Sequence, residues 1–183
     1  MKKVVLLGDS IRMIGYGPIV AEALKGEYEV WQPEDNCRFA AYTLRMLFAY
    51  RKELENAHII HWNNGLWDAT HCMGDGPFTP LETYVATMKR IAEHLLRITD
   101  KVIFSTTTAV AEDSLYDKND TIRQYNAAVV PELMKMGVQI NNLFSVVAEN
   151  QEKYICEDTL HLSKAGSEAC AKKVLEAIRK ADQ

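Results

Sequence analysis

Residues 3–10 of this chain read KVVLLGDS, a short and mainly apolar run that stops at Gly-Asp-Ser. Valine and leucine in so short a run predict a strand that is buried on both faces, as in a parallel sheet. In open sheets of this kind, ligands bind beyond the carboxyl ends of the strands. The stretch therefore predicts an α/β sheet that carries Ser10 at its ligand-binding edge.

Four further apolar runs follow along the chain, and longer amphipathic stretches separate them. This alternation is typical of a parallel sheet that is covered by helices on both faces. The five predicted strands are Lys3–Leu7, Tyr28–Trp31, His58–Trp62, Lys101–Ser105 and Val138–Ile140. With 183 residues, of which 48% are hydrophobic, the chain has the size and composition of one domain. We therefore predict a single domain over residues 1–183, a three-layer α/β/α sandwich around a five-stranded parallel sheet.

The clearest helical pattern begins after Thr79, where apolar residues recur every three or four positions as far as Ile98. Pro80 suits the first helical position, and Thr79 with Glu82 matches a capping box. Weaker helical patterns cover residues 40–56, 119–136 and 163–180. The one long irregular segment, residues 65–77, is expected to be functional, because such loops are uncommon in compact domains.

Composition excludes several classes of protein. The formal net charge is −4 and the basic residues are scattered, which argues against a nucleic-acid partner. The apolar run near the start is too short for a signal peptide, and no segment approaches the ~20 apolar residues of a membrane span. Four cysteines without a CxxC pair indicate free thiols. We therefore expect a cytoplasmic protein without a membrane partner, unless a leader has been removed.

Two polar motifs at opposite ends of the chain carry the chemistry. Ser10 follows the first strand, and a serine hydroxyl needs an adjacent base to act as a nucleophile. Asp158 precedes His161 by three residues, a spacing at which the carboxylate can accept one imidazole N–H and leave the other ring nitrogen free. Each motif alone is common by chance, and a lone serine after a strand is more often a helix cap. Because the predicted fold brings both to one sheet edge, they together predict a catalytic triad.

The stretches LLGDSIR (residues 6–12) and DTLHLSKAG (residues 158–166) resemble the first and last sequence blocks of the SGNH/GDSL hydrolase superfamily. The resemblance spans the chain and implies a flavodoxin-like fold with esterase, lipase, thioesterase or carbohydrate deacetylase activity. It implies that Ser10 is the nucleophile, His161 the base and Asp158 the orienting acid. It also implies an oxyanion hole made by the Ser10 N–H, a backbone N–H of the second block and an asparagine side chain of the third.

The third block departs from the family pattern. The family has Gly-x-Asn-Asp here, whereas this chain has Gly-Leu-Trp-Asp at residues 65–68, so Trp67 stands at the asparagine position. The Trp67 indole N–H could donate to the oxyanion with a different geometry. Asn63, at the end of the third strand, is our candidate for the missing donor, and Asn64 is the second candidate. The alternative is that Asn63 only ties down the loop.

The second block, residues 36–41, lacks the glycine that the family has there. A backbone donor needs no particular side chain, so an N–H of this stretch could still complete the oxyanion hole. Arg38 could instead bind a polar or anionic part of the substrate.

These features predict a serine esterase that hydrolyses short-acyl esters, with an acetylated carbohydrate as one candidate substrate. We predict no cofactor and no metal, since His61, His71 and Cys72 match no standard ligand spacing. The alternative, favoured by the altered middle blocks, is a non-catalytic flavodoxin-like domain that binds a ligand or a partner protein.

Overall fold

The computed structural model describes residues 1–183 and has a parallel sheet of five strands at its centre. The strands are β1 (Lys3–Leu7), β2 (Glu29–Trp31), β3 (Ile59–Asn63), β4 (Val102–Ser105) and β5 (Gln139–Asn141). Their order across the sheet is β2-β1-β3-β4-β5, and every neighbouring pair is parallel. All five predicted strands are confirmed, with ends that differ by one residue at most.

Nine α-helices and one π-helical stretch, Ile11–Tyr16, connect the strands. The helices are α1 (Gly17–Ala23), α2 (Ala40–Ala49), α3 (Arg51–Leu54), α4 (Leu66–Ala69), α5 (Leu81–Leu96), α6 (Asn119–Lys135), α7 (Leu143–Ala148), α8 (Gln151–Tyr154) and α9 (Lys164–Asp182). Helices α2, α5 and α6 pack together as one layer, while α1, α7 and α8 pack around α9 as the other. The predicted three-layer sandwich is confirmed.

The position of the crevice follows from the strand order. The chain runs from β1 outward to β2 and then returns to place β3 on the other side of β1, so Val4 pairs with both Val30 and Ile59. The order therefore reverses between β1 and β3, and a ligand crevice opens beyond their carboxyl ends. The central strands are buried, as expected when helices cover both faces of a parallel sheet.

Two helix boundaries differ from the sequence-based expectations. The predicted capping box at Thr79 is wrong: Pro80 caps α5, and no side chain bonds to the helix start. The Thr79 N–H instead donates to the Asp68 carbonyl at 3.0 Å, which ties the long loop to α4. The helix predicted over residues 40–56 breaks at Tyr50 into α2 and α3.

The last helix is anchored at its start by a close contact. The Ser163 hydroxyl oxygen accepts the Gly166 N–H at 3.1 Å, which caps α9. Gly166 then packs so tightly that a Cβ there would lie 2.1 Å from the Tyr154 carbonyl oxygen. This contact holds α9 against the end of α8, on either side of the loop that carries Asp158 and His161. No helix in the protein has the length and apolarity that crossing a membrane requires.

We predict that Gly166→Ala lowers the free energy of unfolding by about 1–3 kcal/mol, because the added methyl must push backbone apart in a packed contact. Urea denaturation measures the change. Glu168→Ala, at an exposed position of the same helix, is the control and should stay within about 0.5 kcal/mol of the parent protein. Equal stabilities for the two variants would contradict the close packing at Gly166.

Candidate active site

Ser10 lies directly beyond β1, after a turn that only glycine permits at its first position. A Cβ on Gly8 would lie 1.9 Å from the Asn63 side-chain oxygen, so any larger residue would separate the ends of β1 and β3. The absence of a side chain lets the chain turn sharply there. As a result Ser10 is buried except for a small exposed part that faces the pocket at the end of the sheet.

A buried polar network holds this turn from behind. The Asp9 carboxylate accepts the Ile11 N–H at 3.0 Å and the Asn63 side-chain N–H at 2.8 Å. The Tyr16 hydroxyl donates to the other side of the Asn63 amide at 2.8 Å. Burial raises the pKa of Asp9, although these hydrogen bonds favour its ionised form. The network fixes the backbone on both sides of Ser10.

The structure brings Ser10, His161 and Asp158 together from opposite ends of the chain. His161 Nε2 lies 3.0 Å from Ser10 Oγ, and His161 Nδ1 lies 2.7 Å from Asp158 Oδ2. Asp158 Oδ1 accepts the backbone N–H groups of Leu160 and His161 at 3.0 and 2.9 Å. Partial burial raises the pKa of Asp158, but these hydrogen bonds outweigh it and leave the pKa below its ordinary value. Asp158 is therefore a carboxylate at neutral pH.

A strained turn sets the spacing of Asp158 and His161. Thr159 has φ 68°, in the left-handed region that β-branched residues avoid. The Thr159 carbonyl accepts the Ala111 N–H at 3.0 Å, and the His161 carbonyl accepts the Cys156 N–H at 2.7 Å. These bonds hold the turn in its costly conformation, so that the imidazole faces Ser10 without a further rearrangement.

Ser10 opens into a pocket of about 290 Å³ with mainly apolar walls. Two of its aromatic residues, Phe39 and Phe78, pack with ring centroids 5.5 Å apart. Trp67 forms another wall and is 41% exposed. The remaining lining residues are Leu66, Thr70, Cys72, Asp117 and Leu160. The pocket can thus enclose a small apolar group beside the serine hydroxyl.

The start of α2 lies at this pocket and carries free hydrogen-bond donors. The Arg38 N–H donates to Asn36 Oδ1 at 2.7 Å, and the Ala40 N–H donates to the Asp68 carboxylate at 3.0 Å. The N–H groups of Phe39 and Ala41 make no hydrogen bond within the protein. Unpaired N–H groups at the start of a helix attract negative charge. The stretch that lacks the expected glycine therefore still offers backbone donors.

Asp68 is the buried carboxylate that fixes this helix start. Its carboxylate accepts the Ala40 N–H, and its backbone carbonyl accepts the Thr79 N–H. Burial raises the pKa of Asp68 to about 6, and the hydrogen bonds lower it only in part. Asp68 thus joins α4, α2 and the long loop at the pocket wall.

Three predicted residues are not brought to the pocket. The Asn63 amide is held between Asp9 and Tyr16, so it ties down the loop, which is the alternative stated above. The Asn64 side chain is buried and donates to the Arg38 carbonyl at 2.8 Å. The Arg38 guanidinium lies over the Tyr42 ring, 4.7 Å from its centroid, and Arg38 does not line the pocket. Trp67, in contrast, lies in the pocket wall.

Other pocket residues could not be identified from the sequence. Nothing in the sequence distinguishes Phe39, Phe78 or Leu160 from core residues, and Asp117 lies in a polar stretch with no motif. The sequence did indicate two of the pocket residues. Thr70 and Cys72 lie in the long irregular segment, residues 65–77, that we expected to be functional. His61 is a core residue: its Nε2 lies 2.7 Å from Ser105 Oγ, and burial lowers its pKa to about 3, so it is neutral.

Known proteins resemble this chain in sequence and in fold. No family model matches the sequence. The GDSL esterase/lipase CPRD49 of Arabidopsis thaliana is 28% identical over 98% of this chain and 80% of its own length. Among solved structures, the acetyl xylan esterase AlAXEase aligns with a TM-score of 0.78 and 20% identity, covering 96% of this chain and 99% of that one. TesA aligns with a TM-score of 0.79 and 14% identity, covering 98% and 99%.

The fold and these relatives define a carboxylic-ester hydrolase. The sequence is similar over nearly its whole length to GDSL esterase/lipases, in line with the SGNH/GDSL resemblance of the motifs at its two ends. This similarity favours the enzyme over the non-catalytic binding domain.

We predict that Asp68 makes stability fall as the pH rises from about 4 to 6. Its folded-state pKa of about 6 lies above the ordinary value of 3.8, so the folded protein binds more protons in this range. The stabilisation that comes from protonated Asp68 is complete below about pH 4 and is lost as the pH rises through about 6. The amide of Asp68→Asn does not titrate, so the stability of the parent protein relative to this variant should drop by up to about 3 kcal/mol.

Urea denaturation of both proteins at several pH values measures this difference. The comparison cancels the titration of all other groups. A difference that stays constant, or that grows in favour of the parent protein as the pH rises, would contradict a raised pKa at Asp68.

Proposed function

We propose that this protein is a serine esterase in which Ser10, His161 and Asp158 form the catalytic triad. The observation that carries the proposal is the continuous series of contacts from Asp158 Oδ2 to His161 and on to Ser10 Oγ, which ends at a pocket. A hydroxyl 3.0 Å from an imidazole nitrogen, with the opposite nitrogen 2.7 Å from a carboxylate, has the geometry of an activated nucleophile.

The reaction proceeds by acyl transfer in two steps. Ser10 Oγ attacks the ester carbonyl carbon while His161 Nε2 takes the hydroxyl proton, and His161 returns that proton to the departing alcohol. Water then attacks the acyl-enzyme, again losing a proton to His161, and the acid leaves as Ser10 recovers its hydrogen. Asp158 keeps the Nδ1 proton in place and stabilises the imidazolium that forms in both steps.

The oxyanion is held by donors that differ in part from the family pattern. The Ser10 N–H makes no hydrogen bond within the protein, and neither does the N–H of Phe39, which lines the pocket. Backbone donors fixed in advance stabilise a developing negative charge without reorganising. The Trp67 indole, which lies in the wall of the same pocket, replaces the family asparagine because Asn63 and Asn64 are engaged elsewhere.

The substrates we propose are esters of short acyl groups, and acetylated carbohydrates are the leading class. A pocket of about 290 Å³ with aromatic walls holds an acetyl or similarly small group and one face of a sugar ring. The Thr70 hydroxyl and Asp117 carboxyl can bond to sugar hydroxyls at its edge. An acetyl xylan esterase is among the proteins of similar fold.

We predict that Ser10→Ala lowers kcat for p-nitrophenyl acetate by at least about a thousandfold. His161→Ala should cost as much, and the double variant little more, since the two groups act as a unit. Ser145→Ala, on α7 outside the pocket, is the control and should retain full activity. A fluorophosphonate should label the parent protein at Ser10. Hydrolysis at the parent rate in Ser10→Ala would remove Ser10 from the mechanism. A folded parent protein that is neither labelled nor active would support the non-catalytic alternative.

We predict that Trp67→Phe lowers kcat by about a hundredfold and leaves KM nearly unchanged, because it keeps the aromatic wall and removes the indole N–H. Trp67→Asn restores the amide that the family has at this position, so it should keep a higher kcat than Trp67→Phe while raising KM. Steady-state kinetics with p-nitrophenyl acetate measure both. An unchanged kcat in Trp67→Phe would remove the indole from the oxyanion hole.

A further inference from the structure

A second concave surface lies away from Ser10, between α2, α3 and α5. This surface, which we call the arginine groove, has a volume of about 690 Å³ and shares no lining residue with the pocket at Ser10. Its charged and titratable lining residues are Arg45, Arg51, Arg90, His94 and Arg97. Its apolar lining residues are Ala41, Leu44, Leu47, Phe48, Leu54 and Ile98. The groove is thus an apolar channel with a basic rim.

The four arginines of the groove have no acidic partner. None of them lies within 4.0 Å of a carboxylate, whereas Arg38, Arg123 and Arg179 elsewhere on the surface each do. No aspartate or glutamate lines the groove. The protein as a whole carries a net charge of −4, so a cluster of unpaired cations on one face is a local reversal of the overall charge. Such a cluster attracts an anionic partner.

Phe48 makes the groove suited to more than a free anion. Its side chain is 64% exposed at the end of α2, although it is large and apolar. The guanidinium groups of Arg45 and Arg51 lie 5.2 and 5.0 Å from its ring centroid and flank it. An aromatic residue with neighbouring arginines is a typical centre of a protein interface. The partner must therefore present apolar side chains as well as negative charge.

We propose that the arginine groove binds an acidic amphipathic helix of a partner protein. Two packed helices form its walls, the arrangement in which an amphipathic helix lays its apolar face into a groove. Apolar side chains of the partner pack on Phe48 and the leucines, and its carboxylates pair with the arginines. The concave shape disfavours the other candidate, a flat anionic membrane, because a flat surface cannot reach the apolar floor of the groove.

A fluorescent synthetic peptide tests the proposal. The peptide has about four helical turns, with leucine at positions i, i+3, i+4 and i+7 and glutamate elsewhere, and its binding is followed by anisotropy. We expect saturable binding that weakens as salt is added. The double variant R45E/R90E should weaken it at least tenfold, and Phe48→Ala should also weaken it. The control R123E/R179E removes the same charge outside the groove and should bind as the parent protein does.

All variants should keep the parent esterase activity, which shows that they fold. The proposal is overturned if the parent protein does not bind the peptide, if the control loses as much affinity as R45E/R90E, or if a peptide with serine in place of leucine binds equally well. Stronger binding to phosphatidylserine vesicles than to the peptide, lost in R45E/R90E, would instead assign the groove to a lipid surface. Hydrolysis and peptide binding are measured separately, so failure of one leaves the other intact.

Discussion

The pairing of β1 with β3 is the constraint on which the active site depends, and the hydrogen bond from Asn63 to Asp9 closes that pair at its carboxyl end. The two strands are neighbours only because the strand order reverses at β1. Gly8 lets their ends approach, since a side chain there would overlap Asn63. The serine that follows is therefore presented at the crevice by rigid backbone, and its position does not rely on a mobile loop.

The opposite side of the site is positioned at a conformational cost. Thr159 adopts a left-handed conformation, and hydrogen bonds to Ala111 and Cys156 hold the surrounding turn. The close contact of Gly166 with Tyr154 fixes where α9 begins and hence where the turn can lie. Strain of this kind, supported by neighbouring structure, is a common way to preorganise a reactive group. In this protein it keeps the imidazole against Ser10.

Helix α2 connects the two surfaces to which we assign functions. Its first residues lie at the Ser10 pocket, where Asp68 fixes them and leaves N–H groups free. Its last residues carry Phe48 and Arg45 into the arginine groove. Burial of the Asp68 carboxylate raises its pKa, because desolvation destabilises the ionised form. In return, the carboxylate accepts the Ala40 N–H and so holds the start of α2 at the pocket.

The amino-acid sequence was sufficient to predict the strands, the layers and the meeting of Ser10 with Asp158 and His161 at one sheet edge, because short buried runs and strand-end motifs are local signals. It could not tell what the Asn63 amide does, since Tyr16 and Asp9 come within hydrogen-bond distance of it only in the folded chain. The pocket walls were equally hidden: Phe39 and Phe78 meet at 5.5 Å across 39 residues of sequence, and no local pattern distinguishes them from core. The free N–H groups at the pocket and the arginine groove arise from backbone and helix packing, which bring together groups far apart along the chain.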